Sequence, residues 1–249
     1  MKPIGIVSAL AAEARALGPA ARHGAELRQL ADGALLAVSG IGAAAAAAAA
    51  RRLVLAGASG LASFGMAGGL DPTVICGAVL LPEEVAAGDD IGSGEAVSAT
   101  SAEWRQRLRA ALPERCIVCG GRLLTSARPI ARPDAKSLAW RNAGAVAVDM
   151  ESAVIAQVAG QAGLPFIALR VIVDTAADEL PAAVITASAG GRLRIGRLLG
   201  GLLRAPGEGG ALIRLAARYR IARRVLAAVA QPGSAPRRAL VGGPYAEMS

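Results

Sequence analysis

A chain of 249 residues with 54% hydrophobic content has ample material for one large α/β domain, and an aromatic share of 2% leaves Ala, Gly and Leu to fill its core. The net charge of +8 is unevenly placed: residues 191–249 hold 11 Arg against Glu208 and Glu247, and the remainder is close to neutral. So little aromatic material for base stacking disfavours nucleic acid as a partner and leaves an anionic membrane surface as the better match to the basic C-terminal part. Cys76, Cys116 and Cys119 are an odd set, and Met1–Leu10 shows no export signal, which together fit a reduced, cytoplasmic protein. Leu53–Leu70 is uncharged for a length that reaches a membrane span, but Gly and Ser interrupt it, so it reads as a strand and a glycine loop.

Lys2–Ser8 is an apolar run followed by a helix start at Ala11–Leu17, which puts Glu13 just past the carboxyl end of a strand. Ala34–Ser39 is a strand, and the Ala-rich stretch Ala43–Ala56 is a helix on propensity alone. Gly60–Phe64 reads as a short strand feeding a glycine turn at Gly65-Met66-Ala67-Gly68-Gly69, and Val74–Leu81 as another strand. Ile91–Thr100 looks irregular. Ala102–Ala111 is a helix, Cys116–Leu124 a strand, and Ala131–Asn142 a helix with Pro133 near its start. The pattern then becomes clearest. Ala145–Val148 and Phe166–Val173 are strand runs, apolar but for Arg170, each followed by an acid, with a helix between them opened by Asp149 and Glu151. Such a unit has the character of buried parallel βαβ, and in open α/β sheets ligands bind at the carboxyl ends of the strands. Asp174 therefore stands on the edge where chemistry is expected, and Asp178 and Glu179 read as caps of a following helix. Helices at about 181–203 and 210–230 and a loose tail from Gln231 complete one α/β domain with a parallel or mixed sheet.

Three motifs carry weight unequally. Gly40-Ile41-Gly42-Ala43-Ala44-Ala45 matches a dinucleotide fingerprint in form, but no acid follows at the end of the next strand to hold a ribose. Cys116-Ile117-Val118-Cys119 lacks a second pair, and His23 is the one His, so no metal site is expected and no cofactor is implied. The glycines at 65–69 let backbone N–H groups approach an oxygen-rich ligand.

Taken together, the blocks Ile4–Glu13, Ser39–Gly42, Gly65–Leu70, Val148–Ala153 and Arg170–Asp174 resemble the nucleoside phosphorylase and nucleosidase superfamily in order and spacing. The nearest patterns are the 5′-methylthioadenosine/S-adenosylhomocysteine nucleosidases and, nearer still in the AVDMESA block and the Arg-rich C-terminus, the hopanoid-associated phosphorylase-like proteins. The resemblance implies a single-domain, three-layer αβα fold with a central mixed sheet over residues 1–230. It implies that Asp174 protonates the leaving purine and that Glu13 handles the attacking water. Glu151 would bind ribose hydroxyls over Met150, with Thr125–Ile130 holding the base. Gly65, Met66, Ala67, Gly68, Ile130 and Arg170 complete the implied substrate site. Val173 and Pro129 depart from the nucleosidase pattern, which has Ser and an aromatic there, and Ser63-Phe64 stands where many phosphorylases carry Arg. Water is thus the expected acceptor, with phosphate the alternative.

N-glycosidic cleavage asks for such residues. Positive charge builds on the ribose and negative charge on the purine, so a buried acid at the base and carboxylates at the sugar both favour the transition state. The implied substrate is an adenine nucleoside, adenosylhopane first and 5′-methylthioadenosine or S-adenosylhomocysteine second, and a homo-oligomer is expected. A non-catalytic nucleoside-binding domain is the alternative of another kind. Helices at about 191–230 carry apolar stripes among Arg, which suits packing on the sheet or on a subunit, or peripheral contact with the inner membrane surface.

Overall fold

The computed structural model describes residues 2–18, 26–88, 94–181 and 209–244. Its strands are β1 (Ile4–Ser8), β2 (Arg28–Gln29), β3 (Leu35–Val38), β4 (Gly60–Gly69), β5 (Val79–Leu80), β6 (Glu84–Gly88), β7 (Gly94–Ala99), β8 (Val118–Cys119), β9 (Arg122–Ser126), β10 (Ala145–Asp149) and β11 (Phe166–Asp174). The helices are α1 (Ala11–Ala14), α2 (Ala43–Leu55), α3 (Ala102–Ala111), α4 (Pro133–Ala143), α5 (Ser152–Gln161), α6 (Gly209–Ala230) and α7 (Ala235–Gly242). All of these described strands join one mixed sheet, ordered β2-β3-β1-β4-β10-β9-β6-β7, with β11 branching from β4 and continuing through β5 to β8. β4 is the hub. It runs parallel to β1 through Gly60–Ser63 and parallel to β11 along most of its length, and its last residues pair antiparallel with β10.

Alternation along β4 and β11 sorts side chains into two layers, as period-two geometry requires. Ala62, Phe64, Ile167, Leu169 and Val171 pack on one face with Trp104 and Leu108 of α3 and Ala222 and Leu226 of α6. Leu61, Ala67, Ala168 and Ile172 pack on the other with Ala46, Ala49, Ala50 and Leu53 of α2 and Ile155 and Ala159 of α5. The result is the expected three-layer αβα sandwich around a mixed sheet. Small side chains on α2 bring that helix close to the sheet, which compensates for the scarcity of aromatics.

Several expectations need correction. β4 does not stop at Phe64: the glycine segment 65–69 is strand, not turn. Val74–Leu81 contributes only Val79–Leu80, because the chain turns at Asp71, whose Oδ1 accepts from Thr73 N at 2.7 Å. The 91–100 stretch contains β7, paired antiparallel with β6. Cys116–Leu124 is broken at Gly120-Gly121, where Gly121 has φ 97°. From Gln231 to Pro244, the described part of the tail, the chain is ordered rather than loose. Ser234 caps α7 by accepting from Arg237 N at 3.2 Å, Leu240 is fully buried, and Trp104 Nε1 donates to Ala239 O at 3.0 Å. Ser-Ala-Pro is itself a helix-start signature. Asp178, expected to help cap a helix at 181, accepts from Thr175 N at 2.7 Å and pairs with Arg218 at 2.7 Å. The helix expected at about 181–203 lies outside the described residues, apart from Pro181.

Candidate active site

The strand ends of β1, β4, β10 and β11 converge on one cavity of about 190 Å³. Glu13, Met66, Ala67, Gly68, Ile130, Met150, Glu151, Arg170 and Asp174 all line it. Gly65 does not; it lies behind the site, where a Cβ would come within 2.5 Å of Arg170 Nη1 and 2.9 Å of Glu13 Oε2. Glycine at 65 thus lets two functional side chains approach the strand backbone. Gly68 plays the same part for Asp174, whose Oδ2 would stand 3.2 Å from an added Cβ.

Glu13 is buried on α1, and each of its oxygens is held. Oε1 accepts from Met66 N at 2.9 Å, and Oε2 accepts from Leu10 N at 3.2 Å and Ser8 Oγ at 3.4 Å. Burial raises its pKa against the opposing pull of Arg170 and those hydrogen bonds. Glu151 Oε1 accepts from Gly42 N at 2.9 Å, and Gly42 has φ 103°, a conformation that favours glycine. The Gly40–Gly42 turn therefore serves to hold an acid. Burial, helped by Asp149 and opposed by Arg170, pushes the Glu151 carboxyl up to about 7.

Arg170 is the cationic centre of this group. Its Nη2 lies 2.6 Å from Asp149 Oδ2 and donates to Ser63 Oγ at 2.7 Å and Ser152 Oγ at 3.0 Å, with Glu151 Oε2 at 4.0 Å. Its Nε has no hydrogen-bond partner among the described residues. Burial opposes its charge, but Asp149, Glu151 and Glu13 together raise its pKa above the ordinary guanidinium value. With its guanidinium engaged in this way, Arg170 orders the acids. Asp149, expected from sequence only to open a helix, is its main partner. Asp149 also accepts from Ser152 N at 3.2 Å and from Thr125 Oγ1 at 2.6 Å. Thr125 is thereby tied behind the site, and of the stretch expected to hold the base, Arg128, Pro129 and Ile130 reach the cavity.

Asp174 is placed by a break in the strand. The register of β11 against β4 shifts between Ile172 and Asp174, leaving Val173 as an extra residue. A bulge of this kind re-aims the side chain that follows it. Without it Asp174 would share the buried face of Ile172; with it Val173 and Asp174 both line the cavity. Burial raises the Asp174 pKa, opposed by Lys136, whose fully buried Nζ donates to Asp174 Oδ2.

Lys136 went unrecognised in the sequence. Its signal is there: it is a Lys in an Arg-rich chain, and it sits on the face of α4 shared with Ala139 and Ala143, where an amphipathic helix carries apolar residues.

The chain matches the phosphorylase superfamily family model over residues 4–203. No curated protein sequence matches it. Among solved structures it is similar to the 5′-methylthioadenosine/S-adenosylhomocysteine nucleosidase from Neisseria meningitidis in complex with methylthio-immucillin-A, at 21% identity and a TM-score of 0.63, covering 82% of this chain and 100% of that one. It is similar to the futalosine hydrolase of Helicobacter pylori at 19% identity and a TM-score of 0.62, covering 81% and 97%. A nucleosidase from Colwellia psychrerythraea in complex with adenine matches at 24% identity and a TM-score of 0.61, covering 81% and 96%. At these identities the likeness is one of fold. On the family match, the chain belongs to the phosphorylase superfamily, the group of N-glycosidic bond-cleaving enzymes that its sequence motifs resemble.

Proposed function

We propose that this enzyme hydrolyses the N-glycosidic bond of an adenine nucleoside, with adenosylhopane in hopanoid biosynthesis as substrate and adenine as the released base. One observation carries the reading: Glu13, Glu151 and Asp174, buried side chains from three separate elements, line a single cavity beside Met66 and Met150. Asp174 delivers the proton to the purine, Glu151 binds the ribose hydroxyls, and Glu13 positions the attacking water at the anomeric carbon. Asp149, Glu151 and Glu13 surround Arg170, and in their ionised forms they make the sugar end of the cavity net negative, which favours the oxocarbenium-like transition state. Water is favoured over phosphate because Arg170 is already engaged by Asp149, leaving Arg128 as the other cation on the lining.

A second reading, 5′-methylthioadenosine/S-adenosylhomocysteine nucleosidase, is supported by the fold likeness to enzymes with that description. Adenine release from an adenosine lipid and from methylthioadenosine, each with and without phosphate, separates the readings. Faster release from the lipid, independent of phosphate, is expected. Release from methylthioadenosine alone would assign the second, and none from either would return the domain to a binding role.

Contact with an anionic membrane surface is part of the proposal. It is supported by the exposed Ile213 and Ile221 on α6, interleaved with exposed Arg214, Arg220, Arg223 and Arg224. No helix among the described residues is long and apolar enough to cross a membrane.

A further inference from the structure

We propose that Lys136 supplies, through Asp174, the proton that the departing base requires. The inference rests on the nucleosidase reading above and adds a positioning residue to it. Lys136 is fully buried on α4, and its Nζ donates to Asp174 Oδ2, to Thr175 O at 2.8 Å and to Asp178 O at 2.9 Å. Three acceptors match the three N–H groups of an ammonium. A neutral amine would present its lone pair to one of these oxygens, so the arrangement fits a charged Lys136 facing an ionised Asp174. An ionised carboxylate has no proton to give. Among the described residues, Lys136 is the side chain that donates to Asp174.

The pair then holds one mobile proton. As the bond from the anomeric carbon to the purine nitrogen breaks, its electron pair moves onto the purine. The proton crosses from Lys136 Nζ to Asp174 and on to a purine ring nitrogen, leaving Lys136 a neutral amine whose two N–H groups stay on Thr175 O and Asp178 O. Water adds its oxygen to the anomeric carbon and gives a proton to Glu13. Glu13 then releases a proton to bulk water and Lys136 takes one up, so one water is consumed for each base released.

A Lys in this place extends the working range upward in pH. With Lys136, the transferable proton sits on an ammonium held beside an ionised Asp174; without it, the proton is there only while Asp174 itself is protonated. Burial raises that carboxyl, but from the ordinary carboxylate value, which in general lies well below that of an ammonium. In Lys136→Met the basic limb of the kcat profile for adenine release is expected to move down by about one pH unit or more, with kcat near pH 8 falling on the order of 100-fold and KM little changed. Lys136→Gln, which keeps N–H donors for the two carbonyls but has no proton to lend, is expected to behave the same way. Both are expected to retain hydrolysis of p-nitrophenyl riboside, whose leaving group departs as a phenolate and needs no proton. Unchanged adenine release near pH 8 in both variants, or equal loss of both substrates at every pH, would overturn the inference. Failure of the nucleosidase reading is seen separately, as wild-type protein that releases no adenine from any adenine nucleoside.

Discussion

At the scale of single residues, the site concentrates carboxyl groups where water cannot stabilise their charge. Glu13, Asp149, Glu151 and Asp174 are all buried, against Arg170 and Lys136. The electrostatic cost has a definite sign. Glu151 titrates near 4.5 when unfolded and at about 7 in the fold, so between those values the folded state binds more protons and stability falls as pH rises. Above about pH 7 the lost stability is on the order of 3 kcal/mol. Glu13 and Asp174, also raised by burial, act in the same direction. Glu151→Gln is therefore expected to raise Tm near pH 8, leave it little changed near pH 5, and flatten the decline between them, while activity falls. Thermal unfolding across that range checks it. A Tm of Glu151→Gln below wild type at pH 8 would mean that Arg170 needs Glu151 as well as Asp149.

At the scale of elements, β4 sets the geometry, and its glycines test this directly. Gly65→Ala puts a methyl group 2.5 Å from Arg170 Nη1 and against Glu13, so both side chains must move. Loss of activity on the order of 100-fold is expected, since displacement of about 1 Å in a catalytic group has that effect. Gly160→Ala, in α5 with nothing within 4 Å of the new Cβ, is the control and is expected to stabilise by about 0.4–1 kcal/mol with activity intact. At α7, Leu240→Ala is expected to lower stability by about 2–5 kcal/mol in urea unfolding, because that side chain is fully buried. A loose tail would show no change. The same elements explain what was legible in the sequence. Strand ends at Ser8, Asp149 and Asp174 are legible because mainly apolar runs stop at a polar residue there. The Asp149–Arg170 and Lys136–Asp174 pairs could not, since each joins segments with no local pattern in common. The Val173 bulge was equally hidden, because an extra residue in one strand is defined only by its partner. The true end of β4 is hidden because glycine signals a turn locally, whereas here close approach of Arg170, Glu13 and Asp174 requires it.

At the scale of the whole molecule, charge and apolar exposure coincide on α6. Its C-terminal half belongs to the core through Ala222, Leu226, Val229 and Ala230, so the amphipathic stripe does pack on the sheet. The same helix nevertheless leaves Ile213 72% and Ile221 47% exposed. Arg218 reaches back to Asp178, four residues beyond Asp174, which ties this helix to the mouth of the site. A helix so placed would dock an anionic bilayer with the cavity nearby, and each exposed Arg near the surface adds about 1 kcal/mol of attraction. Removing the C-terminal helices is a poor test, since it would strip the core of Leu226 and Leu240. Reversing charge at Arg214, Arg220 and Arg223, all exposed, leaves the core untouched. Flotation with phosphatidylserine vesicles is expected to fall on the order of 100-fold in the triple Glu variant and to weaken with added salt in wild type. Adenine release from a water-soluble nucleoside should be unchanged, because none of the three lines the cavity. Equal flotation of variant and wild type would remove the membrane from the proposal and leave the basic face of α6 to another anionic partner.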